Sequence, residues 1–217
     1  NPVAAVILKA TLEYPARFGP GLSEEIKKWG NVWAERVRER LEPFFPVRPG
    51  ESIQAYIFAR TVACPETGKP VPLSPNWWLR KGSDPVAVRL IAGSDMAEPA
   101  FEIVRGRGVK ELDPDAGTVS GGDGRSPWTG APIPSDSIKA EAQAGRMGEM
   151  LYAVAVKEGR KRDFRAPTEA DLAALEAGER ELRARWDDWE RLDLIPTENI
   201  PDGSKTREPL RMGMTRW

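Results

Sequence analysis

Cys64-Pro65-Glu66-Thr67-Gly68-Lys69-Pro70-Val71-Pro72 is answered further along the chain by Ser126-Pro127-Trp128-Thr129-Gly130-Ala131-Pro132-Ile133-Pro134, with five of nine positions identical. If Cys64, Thr67, Ser126 and Thr129 were all cysteine, each half would read Cys-Pro-x-Cys-Gly. That is the knuckle turn whose amides point at a thiolate and whose glycine permits a positive φ after the second ligand. Two such turns make a zinc ribbon with a long insert between them. A structural zinc site needs about four nitrogen, sulfur or carboxylate ligands, and this chain has one cysteine and no histidine. No zinc and no other metal is therefore expected. Thr67, Ser126 and Thr129 are expected to hydrogen-bond the turn amides instead, and Cys64 reads as a former ligand or a small buried thiol rather than a nucleophile.

Working outward, Ser52 to Val62 is rich in Ile, Tyr, Phe, Thr and Val and reads as a strand. Shorter strands are expected at Trp77 to Arg80, Val86 to Ile91 and Phe101 to Val104. Gly93 to Pro99 reads as turns, and Gly106 to Arg125, with Gly117, Gly121, Gly122 and Gly124, as a flexible loop. That loop carries neither the dinucleotide glycine pattern nor the phosphate-loop lysine pattern.

Helices flank this module. Leu22 to Phe45 places Ile26, Trp29, Trp33, Val37, Leu41 and Phe44 at spacings of three and four, an amphipathic helix that Pro43 and Pro46 stop. Asn1-Pro2 opens an apolar segment as the cap and first turn of a buried helix would. From Ser135, the residues Ile138, Ala142, Met147, Leu151 and Val154 fall broadly on one face, with Ala140, Ala144, Gly145 and Gly148 small enough for close backbone approach. Thr168 and Asp171 make a capping box for a helix bearing Leu172, Leu175, Leu182, Trp186 and Trp189. The fold class is α+β, with helices flanking a small antiparallel, ribbon-like β module. The expected division is 1–20, 21–50 (amphipathic helix), 51–134 (β module with both knuckle repeats), 135–192 (helical) and 193–217 (extended tail).

Composition narrows the chemistry. The 217 residues carry 32 basic and 33 acidic side chains, a net charge of −1, so no global field draws the chain to nucleic acid or membrane and any such binding is local. Without histidine, the Ser-His-Asp and Cys-His mechanisms are absent from this chain. A single cysteine suits a reducing, cytoplasmic setting. Pro2 to Lys9 is too short to span a bilayer and lacks a basic leader, so neither signal peptide nor membrane helix is expected.

Five stretches occur in an order that resembles one family: Asn1-Pro2-Val3-Ala4, Ala59-Arg60-Thr61-Val62-Ala63-Cys64-Pro65, Trp78-Leu79-Arg80-Lys81, Ala144-Gly145-Arg146-Met147-Gly148, and Lys205 to Leu210 continuing through Thr215-Arg216-Trp217. They look like the large bacterial and archaeal adenine-specific DNA methyltransferases that carry a domain of unknown function and usually a zinc ribbon. The resemblance implies an S-adenosylmethionine-dependent enzyme with a Rossmann-like catalytic domain, from which this chain is an internal piece. It implies that Asn1 and Pro2 lie beside the cofactor, that Pro2 to Leu12 is the helix behind the cofactor site, that 1–20 ends the cofactor domain, and that 193–217 leads back to it. It also implies a flipped adenine, held by Asp/Asn and proline groups and methylated in line. Those groups are not on this chain: Asp84-Pro85 and Asp113-Pro114 lack the second proline and the aromatic residue. No residue here is expected to be catalytic.

Candidate DNA contacts are Arg160, Lys161 and Arg162, expected beyond a helix end at Gly159, together with Arg80 and Lys81. Arg60, Arg105, Arg107 and Arg146 are further cations, and Trp77, Trp78 and Trp128 are possible stacking surfaces. Arg146, between small residues, could instead be a buried ion-pair former. Three readings follow: a segment of an adenine methyltransferase, inactive alone; a non-catalytic module that binds nucleic acid or protein; or a scaffold for its parent chain.

Overall fold

A computed structural model describes residues 2–196, 198–201 and 203. The chain forms two compact units, Asn1–Pro46 and Val47–Trp217.

The first unit is helical: α1 (Pro2–Leu8), a π-helical turn (Lys9–Glu13), α2 (Tyr14–Phe18) and α3 (Leu22–Leu41), closed by a 3₁₀ turn at Glu42–Phe44. Pro15 explains the π turn. It has no N–H, and its ring would strike the carbonyl four residues back, so the helix widens just before it and the Tyr14 amide reaches the Lys9 carbonyl. The predicted helix over Pro2 to Leu12 is present, but it is not buried. Val3, Val6, Ile7, Leu8 and Leu12 are all more than half exposed, and α3 leaves Trp29 and Trp33 60% and 69% exposed. No described residue of these three helices is buried, so this unit does not cover its own apolar faces.

The second unit is α+β with three small antiparallel sheets. Its strands are β1 (Glu51–Ala63), β2 (Pro70–Leu73), β3 (Trp78–Arg80), β4 (Val86–Ile91), β5 (Ala100–Arg105), β6 (Val119–Ser120), β7 (Asp123–Arg125), β8 (Pro132–Ile133), β9 (Gly148–Glu158) and β10 (Lys161–Arg165). The sheet orders are β10-β9-β1-β2, β3-β4-β5 and β6-β7-β8. Two helices complete the unit, α4 (Ser135–Gln143) and α5 (Glu169–Arg191).

Two expectations are corrected. The segment 135–192 is not continuously helical. Gly145, at φ +68, stops the chain after α4, and Gly148–Glu158 becomes β9, the partner of β1 from Glu51↔Glu158 to Thr61↔Gly148. Because Leu151, Ala153, Val154 and Val156 are buried, β9 reads as an almost unbroken apolar run, which periodicity does not separate from a helix. Nor is Gly106–Arg125 a plain loop. It holds a 3₁₀ turn (Gly106–Glu111) and the β6–β7 hairpin, whose two-residue turn uses Gly121 and Gly122 at φ +62 and +97.

Three apolar clusters hold the unit together: Val62, Cys64, Val71, Ile133 and Ile138; Ala87, Val104 and Val109; and Leu151, Val154 and Val156, against which Ile53, Tyr56 and Leu175 pack. Trp77, Phe101 and Tyr152 meet at centroid distances of 5.5 to 6.0 Å and tie the second sheet to β9.

Candidate nucleic-acid interface

The run Arg160-Lys161-Arg162 does not follow a helix. Gly159, at φ +58, and Arg160 form the two-residue turn of the β9–β10 hairpin, with Lys161 opposite Glu158 and Arg162 opposite Lys157. A glycine at the first turn position with φ > 0 matches the right-handed twist of the flanking strands. Residues directly opposite share a face, so Lys157 and Arg162 project from one side of the sheet and Lys161 from the other. All of 157–162 is exposed. The hairpin tip therefore carries four cations and one carboxylate, Glu158, on a chain whose net charge is −1.

Arg80 lies at this strand, although 82 residues separate it from Arg162: its Nη1 donates to the Arg162 carbonyl at 3.0 Å. Its remaining donors serve Asp84, through the backbone oxygen at 2.8 Å and Oδ2 at 2.5 Å. Arg105 donates to the Phe164 carbonyl and to Asp163 Oδ1. Burial raises the Asp163 pKa, but the Phe164 amide and the Arg105 guanidinium outweigh it, and the carboxyl sits below its usual range. Lys81 bonds Asp115 at 3.2 Å and lies 5.1 Å from the centre of the Trp78 ring. Of the cations expected to meet DNA, then, Arg160, Lys161 and Arg162 are exposed at a hairpin tip, Lys81 is exposed in a surface ion pair, and Arg80 is engaged within the fold.

Most of the other candidates also bond within the chain, while Arg107 is exposed on the 3₁₀ turn. Trp77 is 5% exposed in the aromatic cluster. Trp78 Nε1 donates to Asp115, and Trp128 Nε1 to the Pro70 carbonyl. Arg60 pairs with Glu149. Arg146 pairs with both Glu141 oxygens at 2.9 and 2.7 Å, at the surface rather than buried. Pro2 is exposed at the start of α1, and Asn1 lies outside the described residues.

The two matching nonapeptides fold alike. The Cys64 amide bonds the Lys69 carbonyl and the Gly68 amide bonds the Cys64 carbonyl; Ser126 with Ala131 and Gly130 with Ser126 repeat the pattern. Gly68 and Gly130 have φ of +69 and +77. Thr67 Oγ1 accepts from the Lys69 amide, Thr129 Oγ1 from the Ala131 amide, and Ser126 Oγ from the Trp128 amide. Burial raises the pKa of Cys64, yet hydrogen bonds from the Ser126 and Thr67 side chains and from the Thr67 and Glu66 amides bring it down to about 7. A cavity of about 320 Å³ opens beside it, lined by Val62, Pro65, Ile133, Ile138 and Glu141 among others. Among the described residues, no group of three or more His, Cys, Asp and Glu is arranged to hold a metal ion.

Sequence reasoning did not find the buried cluster at the foot of α5. Arg165 bonds Glu51 at 3.1 Å and Asp171 at 2.6 and 3.0 Å, with Glu51 and Asp171 side chains 4% and 0% exposed. Tyr56 OH lies 3.4 Å from Asp171, and burial with that carboxylate pushes the phenol up to about 12. The single guanidinium bridges both carboxylates, which marks a structural joint between β1, β10 and α5. Half of it was legible as the Thr168–Asp171 capping box, which is present.

No family model, curated protein or solved structure matches the chain. No helix of the described residues is long and apolar enough to cross a membrane.

Proposed function

We propose that this chain is a DNA-binding insert of an S-adenosylmethionine-dependent DNA adenine N6-methyltransferase, inactive alone and working in the cytoplasm. The observation that carries the reading is the β9–β10 hairpin tip, where Lys157, Arg160, Lys161 and Arg162 stand exposed at one end of the first sheet. β1 runs beside β9 up to Glu158, so these cations stand at one end of a four-stranded sheet, where exposed side chains on both faces can meet phosphates without reading sequence. The resemblance of five ordered stretches to the methyltransferase family supplies the enzyme context. In that context the paired knuckle turns are the remains of a zinc ribbon inserted in a Rossmann-like enzyme, now held by side-chain hydrogen bonds instead of metal.

S-adenosylmethionine would be bound by the remainder of such an enzyme. Pro2, exposed on α1, is the described residue that the resemblance places beside that cofactor. This chain's own part is to bind and position DNA.

The test is fluorescence anisotropy with a short labelled duplex. Replacing Arg160, Lys161 and Arg162 together by Ala is expected to weaken binding about equally across sequences and to reduce the salt slope by roughly two to three units, about 0.9 per phosphate contact. Unchanged affinity and slope would overturn the reading. A second reading, a protein-binding module, is favoured by Trp29 and Trp33 standing exposed on α3.

A further inference from the structure

β10 is an edge strand, yet its outer groups are not bare. In a two-residue hairpin the residues flanking the turn bond each other, so Lys161, Asp163 and Arg165 direct their backbone groups inward to β9, while Arg162 and Phe164 direct theirs outward. The outward groups find side chains. The Arg162 carbonyl takes Arg80 Nη1 at 3.0 Å, the Phe164 carbonyl takes Arg105 Nη2, and the Phe164 amide donates to Asp163 Oδ1 at 2.9 Å. Arg80 comes from β3 and Arg105 from the end of β5, both in the other sheet. Arg105 also bonds Asp163, which closes the set.

Building on the DNA-binding reading, we infer that Arg80 and Arg105 are positioning residues: they bond the edge of β10 in place of a further strand and so hold the cationic hairpin tip in one orientation. Two observations favour this over direct phosphate contact. Arg80 uses Nε, Nη1 and Nη2 on Asp84 and on the Arg162 carbonyl. Arg105 likewise spends Nε on Asp163 and Nη2 on the Phe164 carbonyl. Arg80 reaches three acceptor oxygens and Arg105 two, each from a fixed fork that an ammonium does not reproduce. The same two contacts shield a sheet edge that would otherwise invite pairing with another chain.

Arg→Lys substitution separates the two roles, because phosphate accepts a point charge whereas the fork is lost with lysine. The measurements are duplex affinity and salt slope, with hydrogen exchange at the inward amides of Lys161, Asp163 and Arg165, for Arg80→Lys, Arg80→Ala and the triple Ala variant of residues 160–162. If Arg80 positions, Lys behaves like Ala: affinity drops several-fold and the three amides exchange faster. If Arg80→Lys keeps wild-type affinity and exchange while Arg80→Ala loses about one unit of salt slope, Arg80 is a phosphate contact and the inference fails, though the DNA-binding reading stands. If the triple variant binds DNA as wild type does, the DNA-binding reading fails, and the exchange rates still decide whether Arg80 holds β10.

Discussion

Ser126 Oγ lies 3.1 Å from Cys64 Sγ, both groups buried, and joins the two matching turns through their first residues. The hydroxyl donates to sulfur, while its lone pairs accept from the Trp128 amide. Each turn therefore supplies the other with what a shared ion would otherwise provide, a partner for the atom at its centre.

The Cys64 thiol is accordingly expected to titrate near 7, followed by the ultraviolet absorbance of the thiolate. Ser126→Ala should move that titration upward toward the ordinary thiol value of about 8.5. The folded-state pKa is depressed, so the stability it contributes is fully present above the ordinary thiol pKa and is lost as pH falls through about 7. Cys64→Ser should flatten the denaturation midpoint across that window. An unshifted titration in Ser126→Ala would show that the serine does not stabilise the thiolate.

Thr67, Ser126 and Thr129 occupy the three positions that complete a four-thiolate set with Cys64. Because both glycine turns keep their hydrogen bonds and positive φ, replacing all three by Cys is expected to create a stoichiometric zinc site, read by elemental analysis. The wild-type protein is expected to purify without stoichiometric zinc and to melt at the same temperature in a chelator. One zinc per wild-type chain would overturn this account of the turns.

Asp171 joins α5 to the sheet, and its charge is the one most completely removed from solvent. Burial raises its pKa, but hydrogen bonds from Arg165 and Thr168 prevail and hold the carboxyl at about 2. The sign is that of a depressed acid: its contribution is present above the usual aspartate value of about 3.9 and is lost as pH falls toward about 2. Asp171→Ala takes two hydrogen bonds from Arg165, which Glu51 still pairs, and also opens the capping box, and should cost about 2–3 kcal/mol, whereas Thr168→Ala, which removes the cap, should cost about 1 kcal/mol. Urea midpoints across acidic pH test both; Asp171→Asn should lose the acid dependence. Equal costs for the two Ala variants would mean that the cap, not the ion pairs, holds α5.

Much of this architecture was legible where local chemistry is strong. β1, β4 and β5 carry branched and aromatic residues bounded by Pro and Gly, and the Thr168–Asp171 box announces α5 before any packing is known. β9 was not legible, because a strand buried on both faces loses its alternation. The hairpin at Gly159 was hidden by the same misreading, since its cations suit a helix end as well as a turn. The Arg80 contact with β10 was out of reach for another reason: a bond across 82 residues leaves no mark in spacing, and a guanidinium that will bond carbonyls looks the same as one that will bond phosphate.

Gly117 provides the last test, because its requirement is steric and not conformational. Its φ is not in the left-handed region, so alanine could adopt the same backbone, but an added Cβ would lie well inside van der Waals contact of the Ser74 and Pro75 backbone. The chain passes so close because Thr118 is bonded there twice over: its amide to the Ser74 carbonyl at 2.8 Å, and its Oγ1 accepting from the Ser74 amide at 2.9 Å. Gly117→Ala must push the loop off β2 and break those bonds, at about 2–3 kcal/mol if overpacking behaves here as in other cores. Gly121 is the control, with positive φ and open space around it, so Gly121→Ala should cost only the left-handed penalty of about 1–2 kcal/mol. Thermal unfolding of the two variants checks the order. If Gly117→Ala melts within the range of an ordinary surface substitution, roughly 0.5 kcal/mol, the close passage over Ser74 is not needed for folding.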